Sequence, residues 1–502
     1  MNQKFRLGSL SVLLSLLGGG LLISPAQAVD APPAVEQDTG LDILLTQKAR
    51  DMLERVRLVD GQARSRRVEV SADIANGVVT VALDRDFVPA DYGPSFEDQR
   101  SEISFGLLHW AEQVAPFSRV VFLYDGKEIE YYFPEIKAAD DAARKAGDAL
   151  RRMRGTPGSG MAFVAAGHGY FYSYKDNRWV TSRDEWNGVS EGLLTPSYAA
   201  ELKAMIEQRS QMPVVRPRVQ ITGTTHPPSG EEWWTIAARY AIAEQYPAET
   251  KIWNTYAGST LWDREEREDI NSRPLLANHH GAEVAIHLHS NGEPSGAARG
   301  TRVIVQPGRP MDAALAQSVL CSMKELIHSV PEYADFSVAP APHAENKGEN
   351  REAKMPSIIV ETAFHTNPDD AKALQDPVFR SAAMKGVEKG YRLWAQGKAC
   401  EPLTLHPLPD VEVPLQAVRE LTVGFAGNPQ YPLELEVAVA DCDRPGYCTP
   451  WKGRFEDPDA PVKFEVSCSS TEPGSVRWNV LLRDADDVVA APVAFTQSCV
   501  RA

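Results

Sequence analysis

The sequence holds no C-x-x-C pair, so its six cysteines lack the usual spacing of sulfur-based zinc clamps. It holds no H-E-x-x-H either, which removes the common helix-borne site of zinc peptidases. Positive charge is short: 52 Lys and Arg stand against 68 Asp and Glu, a formal net charge of −16. A phosphate backbone needs a basic face, so neither a nucleic-acid partner nor simple docking on anionic lipid is expected. Beyond residue 28 no apolar run is long enough to span a bilayer, and no internal repeat or low-complexity segment is visible.

What is present is ordinary globular composition: 502 residues, 43% apolar and 24% charged. That length suggests about three domains at roughly 150 residues each. The first 28 residues read as a signal peptide, with Lys4 and Arg6, an apolar stretch broken by Gly18, Gly19 and Gly20, and A-Q-A at 26–28 for cleavage. No cysteine follows the apolar stretch, so a lipoprotein anchor is not indicated. The expected location is outside the cytoplasm, periplasmic or extracellular. There an even cysteine count reads as disulfides. Cys321 and Cys400 form the expected middle pair. The other four allow three pairings, of which Cys442–Cys448 and Cys468–Cys499 are favoured.

The pattern along the chain divides it as follows. A flexible lead occupies 29–40 and a small α+β domain 41–135, with a helix from Leu41, a strand in 76–89, a helix over 102–116 and a hairpin over 118–134 around Asp125-Gly126. Residues 136–160 read as a charged linker helix. Residues 161–400 alternate short β-branched runs with amphipathic helices, the signature of an α/β domain whose central, mostly parallel sheet is covered by helices. Four prolines make 401–414 a stiff linker. Short alternating runs over 415–502 suggest a disulfide-bearing β-sandwich.

Open α/β sheets place ligands at the carboxyl ends of their strands. There "MAFVAAG" delivers His168, "AEVAIHLHS" delivers His287 and His289, and "SIIVETAF" delivers Glu361. Glycines on both sides of His168 let the backbone turn sharply and leave the ring open to a ligand. A zinc hydrolase needs three protein ligands, a position for water and a further carboxylate for proton transfer.

The order "AAGHG" (165–169), "SEGLLTPSYAAELKAMIEQ" (190–208), "INSRPLLAN" (270–278), "IHLHSNG" (286–292) and "VETAFHTNP" (360–368) resembles the zinc-dependent N-acetylmuramoyl-L-alanine amidases. The resemblance covers about 161–398. It implies one Zn2+ per chain, held by His168, Glu191 and His289, with Glu361 as catalytic carboxylate. It also implies Asn291 as a substrate contact and peptidoglycan, glycan and stem peptide, as substrate. Glu185 and Glu201 compete with Glu191; the reading of Thr195-Pro196 as N-cap and first helical residue favours Glu191, just ahead of that helix. Departures from the family pattern lie in "YFYSYKDNRW" after the first histidine and in a long elaboration over 217–258. A weaker resemblance links 70–134 to small domains named for spore-germination proteins.

Plainer readings apply elsewhere. His287 is expected in the core or behind His289, His279 and His280 on a helix surface, and His343 in a solvated loop, "APAPHAENKGENREAK". Arg273 reads as structural, and Asn367-Pro368 as N-cap and first helical residue. "SGEEWW" suggests a capping box of Ser229 and Glu232 before a helix, with one of Trp233 and Trp234 buried. "DREERED" (263–269) reads as a solvated helix face. "YFYSY" (170–174) lines a glycan groove or packs. The alternatives to an amidase are a non-enzymatic wall-binding or regulatory protein on the same fold, and a zinc peptidase. The outer domains are expected to meet the wall or a regulatory partner.

Overall fold

The computed structural model describes residues 39–154, 160–443 and 448–501. The expected signal peptide lies outside the described residues, as does the lead up to residue 38. Helix α1 (Thr39–Arg55) already includes the last two residues of that lead.

The small N-terminal region continues with strands β1 (Val68–Asp73) and β2 (Val78–Leu83), helix α2 (Pro94–Ala111), strand β3 (Arg119–Tyr124) and helix α3 (Pro134–Arg154). β2 pairs antiparallel with β1 and parallel with β3, and its Val79, Val81 and Leu83 point into the core. Two expectations are corrected here. α2 starts at Pro94 rather than at 102, because Gly93 and a proline at the first helical position open it. The hairpin over 118–134 does not form: after β3 only Tyr124 bridges Lys127, and Ile129 turns inward in a 3-10 turn (Ile129–Tyr131).

This region does not stand alone. Its core of Phe96, Phe105, Leu107 and Phe122 runs into Ala298, Ile304, Ile359 and Phe364 of the following domain. Helix α3 is no free spacer either. Asp140 pairs with Arg309 at 2.7 Å, and Gly147 lies so near the Lys354 carbonyl that a Cβ would sit 2.3 Å from its oxygen.

The central domain runs β4 (Ala162–Ala166), the hairpin β5 (Tyr170–Ser173) and β6 (Arg178–Thr181), α4 (Glu191–Arg209), β7 (Val214–Val215), α5 (Ala238–Gln245), α6 (Thr250–Trp253), α7 (Arg264–His280), β8 (Val284–Asn291), β9 (Arg302–Val305), α8 (Pro310–His328), β10 (His343–Ala344), α9 (Gly348–Arg351), β11 (Ser357–Phe364), α10 (Pro368–Gln375) and α11 (Pro377–Ala395). The six-stranded sheet has order β10-β9-β11-β8-β4-β7. It is mixed: β9 runs antiparallel to β11 and the other pairs are parallel. β4, β8, β9 and β11 are buried along their whole length, as a sheet covered on both faces demands.

Four local readings change. α4 starts at Glu191 with Ser190 as N-cap, so Thr195-Pro196 is inside it. Pro196 is tolerated because the carbonyl it leaves unpaired, that of Gly192, accepts from Arg218 at 2.8 Å. Ser229 and Glu232 make no capping box: Trp233–Thr235 is a 3-10 turn, and Trp233 and Trp234 are both half-buried. The 263–269 run is buried, not solvated. The elaboration over 217–258 and the N-terminal region cover it, and its charges are partnered: Glu268 accepts from Thr255 and Tyr256, Asp269 from the Arg239 backbone, and Arg267 meets Asp263 at 2.9 Å. His343 is likewise buried, on β10. Its segment lies under α2, where Ser101 donates to Glu345 at 2.7 Å and Glu97 pairs with Arg351 at 2.9 Å.

The C-terminal region comprises β12 (Thr404–Leu405), β13 (Val411–Pro414), β14 (Val418–Thr422), β15 (Phe425–Ala426), β16 (Leu433–Cys442), β17 (Trp451–Phe455), β18 (Lys463–Ser467), β19 (Gly474–Arg483) and β20 (Val493–Val500). A five-stranded sheet, β13-β20-β19-β16-β17, shares one core with the β14-β18 pair. The proline-rich 401–414 segment is therefore not a linker: Leu403, Leu405, Val411 and Val413 are buried in that core. The disulfides are Cys321–Cys400, Cys442–Cys448 and Cys468–Cys499. Among the described residues no helix is long and apolar enough to cross a membrane.

Candidate active site

Three strand ends converge. β4 ends just before Gly167-His168-Gly169, β8 carries His289 near its end, and β11 carries Glu361. His289 and Glu361 are register partners on adjacent parallel strands, so their side chains share a face. The glycines about His168 have separate tasks. A Cβ on Gly167 would sit 2.4 Å from the His289 ring, so only glycine lets that imidazole approach. His168 and Gly169 both have positive φ, 57° and 130°, which swings the His168 ring back over the sheet end. Arg218, buried, donates to the carbonyls of Gly167 and Gly192 and so ties this loop to the start of α4.

That tie brings Glu191 in. One carboxylate oxygen lies 3.5 Å from His168 Nε2 and the other 2.9 Å from His289 Nδ1. The two rings stand edge to face with centroids 4.8 Å apart. One ligand atom from each of the three residues lies within 4.8 Å of the others, and all three are buried. The donor set suits a divalent transition metal: two imidazoles and one carboxylate.

Behind His289 stands Glu349, on α9. His289 Nε2 donates to it at 3.0 Å, and Arg273 ion-pairs with its other side. A metal-binding imidazole usually gives its second N–H to such a carboxylate, which orients the ring. His287 is buried with Nδ1 3.6 Å from the same Glu349, while His279 and His280 lie at the far end of α7.

The electrostatics follow from burying this charge. Burial pushes His168 well below the ordinary histidine range. Burial opposes charge on His289 too, but Glu349 and Glu191 outweigh it and raise the group to about 10. Without a cation the His289 ring therefore keeps its proton between the two carboxylates. Burial pushes Glu361 up to about 8, with the Glu191 charge adding to it, and its Oε2 has no hydrogen-bond partner among the described residues. Asn291 Nδ2 is likewise buried and unpaired.

These groups line a cavity of about 880 Å³. One wall is α2 of the N-terminal region, through Asp98, Gln99 and Glu102. Another is the loop after the β5–β6 hairpin, whose Arg183 meets Asp98 at 2.5 Å and Glu266 at 3.1 Å. Phe171 of the hairpin lines the cavity while Tyr174 is exposed. Glu185 and Glu201 lie outside this cavity lining; Glu201 pairs with Arg380 at 2.8 Å. Sequence reasoning missed Glu349, Arg183 and Arg218. No local motif marks them, and only the unusual density of charge in "AENKGENREAK" offered a signal.

The model of the family described as N-acetylmuramoyl-L-alanine amidase matches residues 163–392. Against curated proteins no match is found. Among solved structures the chain is similar to the amidase from Clostridium difficile 630, with 18% identity, TM-score 0.31, and 48% of this chain and 100% of that one covered. It is also similar to the catalytic domain of CwlV from Bacillus (Paenibacillus) polymyxa var. colistinus, with 16% identity, TM-score 0.30, and 46% and 95% covered. AmiC2 of Nostoc punctiforme gives 16%, 0.31, and 48% and 99%. His168, Glu191, His289, Glu349 and Glu361 all lie inside the matched segment, and residues 163–392 belong to the N-acetylmuramoyl-L-alanine amidase family.

Proposed function

We propose that this chain is an exported, zinc-dependent amidase that cuts the bond between N-acetylmuramic acid and the L-alanine of the stem peptide, with His168, Glu191 and His289 holding the metal. The observation that carries the reading is the buried His-Glu-His group at the strand ends, with Glu361 in the same cavity. When bound, zinc supplies a Lewis acid that polarises the amide carbonyl and offsets charge developing on its oxygen. Glu361 acts as the proton carrier: its unpaired Oε2 takes a proton from the attacking water and delivers it to the leaving amine. Burial and the nearby Glu191 charge push Glu361 toward its protonated form near neutral pH; a cation held by its neighbours would lower it toward the ionised form a base requires. Glu349 and Arg273 keep the His289 ring in place. Asn291 Nδ2 offers a donor to the substrate. The three disulfides support export to an oxidising compartment.

The test is release of stem peptides from purified cell walls. A chelator should abolish release and added zinc should restore it. Release that continues unchanged after metal removal contradicts the mechanism.

A further inference from the structure

Trp186 stands at the cavity that holds His168, Glu191 and Glu361, and its side chain is 47% exposed. Among the described residues no other aromatic ring pairs with its indole, in contrast to Trp179 and Trp233, which pack on neighbouring rings. A large apolar ring left open to water is unremarkable when it is mobile on a loop. This one is fixed. The turn Trp186-Asn187-Gly188-Val189 closes with Trp186 N–H donating to the Val189 carbonyl at 3.1 Å and Val189 N–H donating back at 2.8 Å. Its central residues both have positive φ, 49° and 75°, as a two-residue hairpin turn requires.

The turn is also tied to the reaction centre. Asn187 Nδ2 donates to the His365 carbonyl at 3.0 Å, and the His365 ring meets Ser290 Oγ at 3.0 Å, next to His289. Three residues of chain lead from Gly188 to Glu191. The fold thus uses left-handed backbone and a hydrogen bond to the His365 carbonyl to present one indole at the cavity.

The rest of the cleft says what kind of ligand meets that ring. Two of its basic groups are already held: Arg183 by Asp98 and Glu266, and Lys347 by Asp98 at 3.4 Å. The cleft also offers the unpaired donor of Asn291, and aromatic surface from Trp186 and the partly exposed Trp262. A pyranose ring matches this. It carries an apolar face of C–H groups for an indole and a polar rim of hydroxyl and acetamido groups for the facing wall. We propose that Trp186 is the platform on which the cleft seats an amino-sugar ring of the glycan, fixing the lactyl amide over the metal ligands. The assignment rests on the amidase reading above and adds the residue that selects for sugar.

The experiment uses the full chain and glycan strands stripped of peptide, which contain no scissile amide, with binding followed by calorimetry. Trp186→Ala should weaken glycan binding by about tenfold or more, and Trp186→Phe should keep it within about threefold of the native chain. On intact muramoyl-peptide, Trp186→Ala should raise KM by a similar factor and leave kcat near the native value. Free stem peptide should bind the native chain and Trp186→Ala alike. A native chain that does not bind stripped glycan, or a Trp186→Ala variant that binds it as well as the native chain, overturns the proposal. So does a Trp186→Ala variant that loses affinity for free stem peptide instead. Because the stripped strands cannot be cleaved, these outcomes do not depend on turnover, and loss of the chelator effect would defeat the amidase mechanism separately.

Discussion

Glu349 accepts a hydrogen bond from His289 Nε2 at 3.0 Å, while the other nitrogen of the same ring faces Glu191 at 2.9 Å. One imidazole is thereby clamped between a ligand-side carboxylate and an orienting one. Replacing Glu349 by Gln keeps the shape but removes the charge that holds the ring. Metal affinity, measured by competition with a coloured chelator, should fall by about 10–100-fold. Activity should return at saturating zinc. A variant with native affinity would show that Glu349 orients nothing.

Glu361 shares the cavity of His168, Glu191 and His289, and the proposed mechanism gives it the proton transfer. Glu361→Gln should lower turnover on muramoyl-peptide by about 10²–10⁴-fold, the usual worth of a positioned proton carrier. Zinc content should stay native. Steady-state kinetics beside elemental analysis decide the matter, and full activity would remove Glu361 from the chemistry.

The small N-terminal region forms part of the cleft through one ion pair in particular, Asp98–Arg183 at 2.5 Å. Both side chains are partly buried, so their coupling should exceed that of a surface pair. A double-mutant cycle of Asp98→Asn and Arg183→Gln, read from denaturant midpoints, should give about 1–2 kcal/mol of coupling. Additive effects would mean that α2 docks without this contact.

Glu102 lines the same wall, and burial, with Asp98 nearby, pushes it up to about 7 from 4.5. A carboxyl whose folded pKa is raised stabilises the fold below its unfolded value. That contribution is lost as pH rises from about 4.5 through 7. Glu102→Gln should therefore leave stability at pH 4 nearly unchanged and raise it at pH 8, by roughly 1–2 kcal/mol. Urea midpoints at the two pH values test this; an equal shift at both would contradict it.

The parts legible from sequence are those written locally. β-branched runs announced β4, β8 and β11, and their ends carry His168, His289 and Glu361. The Asn367-Pro368 signal marked a helix start, and Asn367 indeed accepts from the backbone of Asp369 and Asp370. Glu191 stands beside both histidines although the reason given for it, a helix beginning at Thr195-Pro196, does not hold. What stayed hidden depends on long-range cover. The run at 263–269 and the segment around His343 look solvated because they are highly charged. They are buried because α2, the loop after the β5–β6 hairpin and the elaboration bring opposite charges from elsewhere along the chain: Glu97 to Arg351, Arg183 to Glu266 and Arg239 to Glu265. Hydrophobic patterning cannot report a face that is buried by ion pairing. For the same reason 401–414 read as a linker: its prolines were visible, while the partner of β13, strand β20, lies some eighty residues further on.

The central claim is that His168, Glu191 and His289 together hold one metal ion. The most direct measurement is the zinc content of the purified protein by elemental analysis, with His168→Ala and His289→Ala beside it. The expected result is one zinc per chain in the native protein and close to none in either variant, with both variants still folded. Native zinc content in a folded His289→Ala protein would place the metal elsewhere and contradict the account.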